Sequence, residues 1–359
     1  MKTILVVNPG STSTKVSLFE TEDSWKVREI RSTSIKHTPE ELAARPDPAD
    51  QRGMRTEAVE RFLAEAENPD LDAVAGRGGL TRPVEAGSYR INEAMKDDLV
   101  NKRYGNHASN LGAFIAEDLA ASRGIPALIA DPVSVDQFEP LARYSGHPDF
   151  PRRCQLHALN MRAVAREAAR DLGGAMEEFR FVIAHLGGGI SISPMKKGRL
   201  IDVNHAVDDG PFSPQRTGGL PLMPLVEACF SGRWKNAADA EAELVRRSGM
   251  LAYLGTDDGK EIEEKALAGE QPWLEVYQAL AYQISKEIGA MATVLEGRVD
   301  AVLLTGGLPH PPLSDWIRER VGWIAPVRIY AGEREMEALA RAAARLLFGE
   351  EELKEYGGD

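Results

Sequence analysis

An α/β chain folded as two related domains is what this sequence predicts, and three observations predict it. Short apolar runs rich in β-branched residues alternate with longer segments whose apolar residues recur at helical spacing. A strand, a turn of small residues and a returning strand occur near residue 10 and again near residue 187, as an internal duplication gives. The length, 359 residues, also exceeds what one hydrophobic core usually serves.

Taken in order, the first strand is Ile4 to Asn8, followed by Pro9-Gly10-Ser11-Thr12-Ser13-Thr14-Lys15 and a second strand, Val16 to Glu20. Lys36 to Gly53, with three prolines and many charges, reads as a surface loop or short helix. Glu57 to Glu67 has helical spacing, and Asp72 to Ala75 is a buried strand running into Gly76-Arg77-Gly78-Gly79. Ala108 to Arg123 is a helix stopped by Gly124, ahead of a buried strand, Ala127 to Ala130. The break at Gly146-His147-Pro148-Asp149-Phe150-Pro151 is the expected crossing between domains, giving 1–150 and 151–334. Beyond it, His157 to Leu172 is an alanine- and arginine-rich helix closed by Gly173-Gly174. The second hairpin is Phe181 to Ala184, His185-Leu186-Gly187-Gly188-Gly189, then Ile190 to Ser193. Trp273 to Glu296 is the longest helical pattern. Ala301 to Leu304 is a third apolar strand, ending in Thr305-Gly306-Gly307-Leu308, and Met336 to Phe348 is the last helix.

Composition sets bounds on function. The formal charge of −12 argues against nucleic acid or an anionic membrane surface as the main partner. No run approaches the roughly 18 to 20 apolar residues that span a bilayer. The opening Met1-Lys2-Thr3-Ile4-Leu5 enters a strand pattern directly, so no secretion signal is expected and a cytoplasmic location is. Cys154 and Cys229 lie far apart without metal-type spacing and read as free thiols in a reducing compartment.

The glycine turns carry the first chemical signal. Small residues at a strand-to-strand turn let backbone N–H groups approach a phosphate, and Ser and Thr add hydroxyl donors. One such turn is as well read as a plain tight hairpin. Two of them, with the Gly306-Gly307 pair as a third, are what a nucleotide held between two related domains requires. None is a Walker A loop, which needs Gly-Lys-Ser/Thr opening a helix, and none is a GxGxxG fingerprint.

In order and number, these motifs resemble the acetate/butyrate kinase (acetokinase) family, within the actin, sugar kinase and heat-shock-70 superfamily. The resemblance runs over nearly the whole chain. Its carriers are Asn8 to Lys15, Gly76 to Gly79, Asn106-His107-Ala108-Ser109-Asn110-Leu111-Gly112, Ala130-Asp131-Pro132, Ala184 to Ser191, Gly210-Pro211-Phe212-Ser213-Pro214-Gln215-Arg216-Thr217-Gly218-Gly219, and Thr305 to Gly307. Asn-Pro-Gly-Ser-Thr-Ser-Thr-Lys, Arg-Gly-Gly-Leu and His-Leu-Gly-Gly-Gly-Ile-Ser resemble the butyrate kinase branch. Acetate kinases more usually carry Asn-Ala-Gly-Ser-Ser-Ser and His-Leu-Gly-Asn-Gly.

The resemblance implies two duplicated actin-like (ribonuclease H-like) domains with ATP in the cleft between them. It implies in-line attack of a short fatty acid's carboxylate on the γ-phosphorus, with Mg²⁺ on the phosphates. A carboxylate is already ionised at neutral pH, so positioning and charge neutralisation are the task, not general base catalysis. Arg77 matches the arginine near the substrate carboxylate, and His107 and Asn110 fall in the substrate-side motif. Arg216 matches the arginine that stabilises the transition state, and His185 is suited to donate to the γ-phosphate. Asp131 corresponds to an active-site aspartate, although a strand-end aspartate also caps turns. His107 and His157 match active-site histidines and equally suit ordinary helix starts. Ser11, Ser13, Lys15, Gly187, Gly188 and Gly189 belong to the phosphate turns, and Asp258, Gly306 and Gly307 to the adenosine side. Asn8 and Glu335 match the metal-linked pair, so 335–359 is expected to rejoin the first domain; which of Glu333, Glu335 and Glu337 faces the metal stays open.

The chain departs from the family at Asp258-Gly259-Lys260, where an arginine is common; lysine keeps the charge and loses the planar face that stacks on adenine. Three competing readings remain at this level. A heat-shock-70-like conformational ATPase should carry a long extension after the final helix. A metal-dependent carbamoyltransferase should carry His-x-x-x-His, which no pair of the seven histidines forms. A catalytically weak homologue is opposed by the presence of Asn8, Arg77, His185 and Arg216. Acetate, propionate, butyrate and branched acids differ by one or two methylenes, about 1–3 kcal/mol in an apolar pocket, so the acid is left open between them. The family is usually at least dimeric, with an interface expected from the second domain.

Overall fold

The computed structural model describes residues 1–358. The chain forms two compact units, Met1–Asp136 joined by the segment from Arg334 on, and Gln137–Glu333. It leaves the first unit at 136/137, ahead of the glycine- and proline-rich segment 146–151, and returns at 333/334.

The first unit holds β1 (Lys2–Pro9), β2 (Ser13–Thr21), β3 (Val27–Lys36), β4 (Ala73–Arg77), β5 (Ser88–Arg90) and β6 (Ala127–Ala130), in the order β3-β2-β1-β4-β6-β5. β1 and β2 are an antiparallel hairpin with Asn8 opposite Lys15, while β4 lies parallel to β1 and β6 parallel to β4. Ile4–Val7 is buried on both faces because the helices Leu111–Ala121 and Glu335–Leu347 pack on β1 and β4. That is why the strand reads as an unbroken apolar run rather than an alternating one. Alanines 338, 340, 342, 343 and 344 form the buried side of the second helix and let it lie close to the sheet.

The second unit holds β7 (Arg180–Leu186), β8 (Ile190–Lys196), β9 (Arg199–Leu200), β10 (Ala301–Gly306) and β11 (Val327–Ala331), in the order β11-β10-β7-β8-β9. β7 and β8 form an antiparallel hairpin, with β10 parallel to β7 and β11 parallel to β10. An antiparallel meander beside parallel strands therefore occurs twice, as the duplicated hairpin motif implied. The helix Trp273–Val294 buries Val276, Leu280, Ile284, Ile288 and Met291 at spacings of three and four, and its core includes Val182, Ala184, Ile192 and Leu304.

Some elements left no such pattern. β3 is almost wholly exposed and mixes arginine, glutamate and serine, the marks of an edge strand. The helix Leu222–Phe230 is apolar in composition yet buries no residue. Among the described residues no helix is long and apolar enough to cross a membrane.

Candidate active site

In the first unit the site grows from the ends of three neighbouring strands. β1 carries Asn8 one residue before its end at Pro9, β4 ends on Arg77, and β6 ends just before Asp131. Arg77 is held at a point of very close packing. A Cβ on Gly76 would lie 2.1 Å from the Gly112 carbonyl oxygen, and one on Gly112 would lie 2.2 Å from that of Arg77. Only glycine at both positions lets the helix Leu111–Ala121 approach the strand this closely.

Glu335 joins these strand ends. Arg77 Nη2 lies 2.8 Å from Glu335 Oε1, and Asn8 Nδ2 donates to Glu335 Oε2 at 3.0 Å. Of the three glutamates left open by the sequence, Glu335 is the one joined to Asn8; Glu337 pairs with Arg341 at 2.6 Å. A second Arg77 nitrogen, Nη1, is buried with no hydrogen-bond partner among the described residues. A buried guanidinium N–H without an acceptor is costly, and a ligand carboxylate is the natural acceptor.

Asp131 is buried at φ +39°, a conformation that non-glycine residues adopt at a cost of about 1 kcal/mol and that aspartate tolerates better than most. Its Oδ1 accepts from Gly87 N at 2.8 Å, and its own N–H donates to the Gly87 carbonyl. His107 caps the turn Ala108–Asn110, its Nδ1 accepting from Ser109 N at 3.1 Å, so the neutral ring carries its proton on Nε2. Asn110 is buried, accepts from Leu80 N at 2.8 Å and donates to the Gly105 carbonyl at 3.0 Å. Its amide thus latches the Gly78-Gly79 turn to the helix start, a scaffolding position. Ser11 and Lys15 are exposed at the β1–β2 turn, Ser13 is half-buried, and Gly10 N closes the turn on the Ser13 carbonyl at 2.7 Å.

The second unit gathers its candidates more tightly. His185, at the end of β7, is buried and stacks on His157 with ring centres 4.0 Å apart. His157 Nδ1 lies 2.9 Å from Ser191 Oγ. Asn160 Oδ1 accepts from Thr305 Oγ1 at 3.0 Å and faces His185 Nδ1 at 3.1 Å, which places a proton on that ring nitrogen. Arg216 is held by its Nη1 on the Ala206 carbonyl at 2.7 Å, and burial pushes its pKa down. Ser213 ties this arginine's loop to the glycine turn: its hydroxyl donates to the Gly188 carbonyl at 2.7 Å and accepts from Arg216 N at 3.2 Å. A Cβ on Gly189 would lie 2.5 Å from Arg216 Nη1, whereas one on Gly187 would lie 3.3 Å from His185 Nε2 and one on Gly188 would meet open space.

At the end of β10, Gly306 has φ +95°, and a Cβ there would meet the Leu186 carbonyl at 2.3 Å, while Gly307 faces open space. Asp258 caps the helix Gly259–Leu267 through Lys260 N at 2.9 Å, and Gly259 lies against Leu308. Lys260 itself is exposed, its Nζ 3.8 Å from Glu264.

The structure thus brings Asn8, Arg77 and Glu335 into direct contact, and groups His157, His185, Gly189 and Arg216. Sequence reasoning missed Asn160 and Ser213, which connect those groups through hydrogen bonds. It also missed Arg55, whose only signal is its place in phase with Val59 and Phe62 on the buried side of the helix Arg52–Glu65. Among the described residues no three His, Cys, Asp or Glu side chains gather to hold a metal. One carboxylate and one amide, Glu335 and Asn8, fit a cation that brings most of its ligands as phosphate oxygens and water, as Mg²⁺ does.

Two sheets that share a five-strand order, the first with β5 added at its edge, each carry a small-residue hairpin at the equivalent strand pair, which is the actin-like fold. The solved structures similar to the chain agree. Acetate kinase of Porphyromonas gingivalis matches with TM-score 0.76 at 20% identity, over 96% of this chain and 100% of that one. A propionate kinase of Francisella tularensis subsp. tularensis SCHU S4 matches with TM-score 0.74 at 16% identity, over 95% and 99%. The acetokinase family model matches residues 148–321. A "Probable butyrate kinase" of Listeria innocua is 45% identical over 98% of this chain and 99% of its own. "Probable butyrate kinase 2" of Caldanaerobacter subterraneus subsp. tengcongensis is 44% identical over 99% of each. The chain belongs to the acetokinase family.

Proposed function

We propose that the chain is a butyrate kinase, transferring the γ-phosphoryl group of ATP to butanoate to give ADP and butanoyl phosphate, reversibly. The observation that carries the reading is the buried Arg77 Nη1 without an acceptor among the described residues, beside the Asn8–Glu335 contact. The identity of 45% to a full-length relative bearing that name supports butyrate over acetate.

In this reading a butanoate oxygen attacks the γ-phosphorus, the bond to the β-bridging oxygen breaks, and ADP leaves with the electron pair. No proton moves from the acid. Arg77 grips the carboxylate, Glu335 sets the angle of its guanidinium, and His107 offers Nε2–H as a further donor. Asp131 fixes the Gly87 backbone beside the β4 and β6 strand ends. Arg216 and His185 neutralise charge on the transferring group, with His157 stacked to hold the second ring. Because His185 already donates from Nδ1–H to Asn160 Oδ1, donation from Nε2 as well requires the doubly protonated ring. Ser11, Ser13, Lys15 and the N–H groups of Gly187–Gly189 receive the phosphates, and Asp258, Gly306 and Gly307 face the nucleoside. Asn8 and Glu335 would hold Mg²⁺, which when bound neutralises charge on the β- and γ-phosphates.

A second copy is the proposed cover for the helix Leu222–Phe230, whose Leu222, Met223 and Phe230 are 70%, 63% and 88% exposed. Sedimentation equilibrium should give a dimer, or a larger assembly, that Phe230→Asp reduces to monomer.

The activity test is ADP release from Mg-ATP with acetate, propionate, butyrate and isobutyrate, each against a blank without acid, with hydroxylamine trapping the acyl phosphate. Hydroxamate formation greatest with a four-carbon acid is expected. ATP hydrolysis indifferent to every acid, with nothing trapped, overturns the reading.

A further inference from the structure

Beneath the first phosphate hairpin lies a charge for which the proposed chemistry has not yet found a use. Arg55 is wholly buried, and its guanidinium is spent on the inner side of the β1–β2 turn. Nη1 donates to the Ser13 carbonyl at 3.0 Å and to Thr14 Oγ1 at 2.9 Å. Nη2 reaches the Ser11 carbonyl at 3.4 Å and Gln51 Oε1 at 2.8 Å, and Nε also bonds Gln51. Every acceptor is neutral. No carboxylate pairs with Arg55 among the described residues, and burial pushes its pKa down to about 10, which leaves it cationic at neutral pH. The adjoining His37, bonded to Thr14 Oγ1 at 2.9 Å, has its pKa lowered by burial and by Arg55, against an opposing pull from Glu41, and a histidine in either protonation state supplies no negative charge to Arg55.

An unpaired buried cation is expensive, and neutral donors could bond the same oxygens without that cost. What the charge adds is an attraction for an anion on the far side of the turn. The hydrogen bonds act in the same sense. By drawing the Ser11 and Ser13 carbonyls inward, Arg55 fixes the turn with its N–H groups directed outward; Ser11 and Thr12 are exposed and their N–H groups bond no acceptor among the described residues. A turn so held is a nest for phosphate oxygens.

We propose that Arg55 is a positioning residue for the nucleotide's terminal phosphates, shaping the Gly10–Ser13 turn and supplying, from behind it, the positive charge that a polyphosphate answers. This rests on the phosphoryl-transfer reading of the site. Arg55 touches no substrate; it acts through the turn.

The experiment compares the unmodified protein with Arg55→Gln and Arg55→Lys, each checked for fold by circular dichroism and a thermal melt. Calorimetric affinity for Mg-ATP and for AMP is measured without acid, and KM for ATP and for butyrate with it. Arg55→Gln should weaken ATP binding and raise its KM at least tenfold, while AMP affinity and the butyrate KM stay within about twofold. Arg55→Lys, which keeps the charge and loses the fork, should fall between the two. Equal loss for ATP, AMP and butyrate would mark a purely structural residue and overturn the proposal, as would unchanged ATP affinity in Arg55→Gln. Should the glutamine variant not fold, the lysine variant decides by the same selectivity. Arg55-dependent ATP binding in a protein that phosphorylates no acid sinks the kinase reading and leaves this inference standing; acid-dependent turnover unaffected at Arg55 does the reverse.

Discussion

At the residue scale, two glycines one position apart should behave differently. Gly189→Ala places a methyl 2.5 Å from Arg216 Nη1, and the flexible guanidinium can yield, so stability should change little. Activity should not survive as well: displacing an arginine from the transferring group costs roughly 10²-fold or more in kcat. Gly188→Ala meets no protein atom, so the fold should hold, while a methyl on the phosphate-receiving turn should raise the KM for ATP more than it lowers kcat. Steady-state kinetics and melts of the pair check both statements. Arg77→Lys keeps the charge but cannot grip Glu335 and a carboxylate together through one planar fork. It should raise the butyrate KM and lower kcat/KM about 10²-fold, with ATP binding measured without acid little altered. Glu335→Gln leaves Arg77 without its ion pair and should raise the Mg²⁺ concentration needed for half-maximal turnover; Mg²⁺ dependence identical to that of the unmodified protein counts against the metal role.

At the element scale, the decisive contacts are those that set where a strand end or a tail lies. Gly76→Ala would drive a methyl to 2.1 Å from a backbone oxygen, which no rotamer relieves. The helix Leu111–Ala121 must then separate from β4, and destabilisation of about 3 kcal/mol or more is expected. The tail after the last helix is anchored by Tyr356, whose hydroxyl donates to Asp98 Oδ2 at 2.9 Å and accepts from Arg82 N at 2.9 Å. Asp98 is buried; burial alone would raise its pKa, but the hydrogen bonds from Arg82 and Tyr356 outweigh it and hold the carboxyl below its usual value. Asp98→Asn should therefore cost about 2 kcal/mol at pH 7, less than for a fully buried pair because Arg82 and Arg103 reach solvent. That stability is present above the carboxyl's unfolded pKa and is lost as pH falls through the lowered folded value, so the variant's deficit should shrink in acid. Urea denaturation at several pH values reads it.

At the scale of the whole molecule, one carboxyl works against stability. Burial, reinforced by Asp209 and Asp202, pushes Glu287 up to about 7. Its folded pKa lies above its unfolded one, so the native state binds the proton more tightly. The contribution is full below about pH 4.5 and declines as pH rises to about 7, beyond which it is constant. Glu287→Gln should remove that part of the pH dependence and gain about 2 kcal/mol at pH 8, read as the difference between the two melting curves. The two-unit plan itself was legible, because each central strand is covered on both faces and each hairpin turn is built of small residues. The edge strand β3 and the helix Leu222–Phe230 were not: one buries almost nothing, and the other shows an apolar composition that burial within its own unit does not explain.

The sequence by itself determined the α/β class, the repeated hairpin and the small-residue turns that close each hairpin. These are local properties, set by hydrophobic period, turn chemistry and motif order. Tertiary structure alone decided which of Glu333, Glu335 and Glu337 meets Asn8, since those partners stand 327 positions apart and helical phase cannot select among them. It also decided that Asn110 serves as a latch, that Asn160 joins His185 to Thr305, and that Arg55 backs the β1–β2 turn. Each of those roles is a hydrogen bond between distant segments, and a side chain's partner across the fold leaves no period or spacing in the chain.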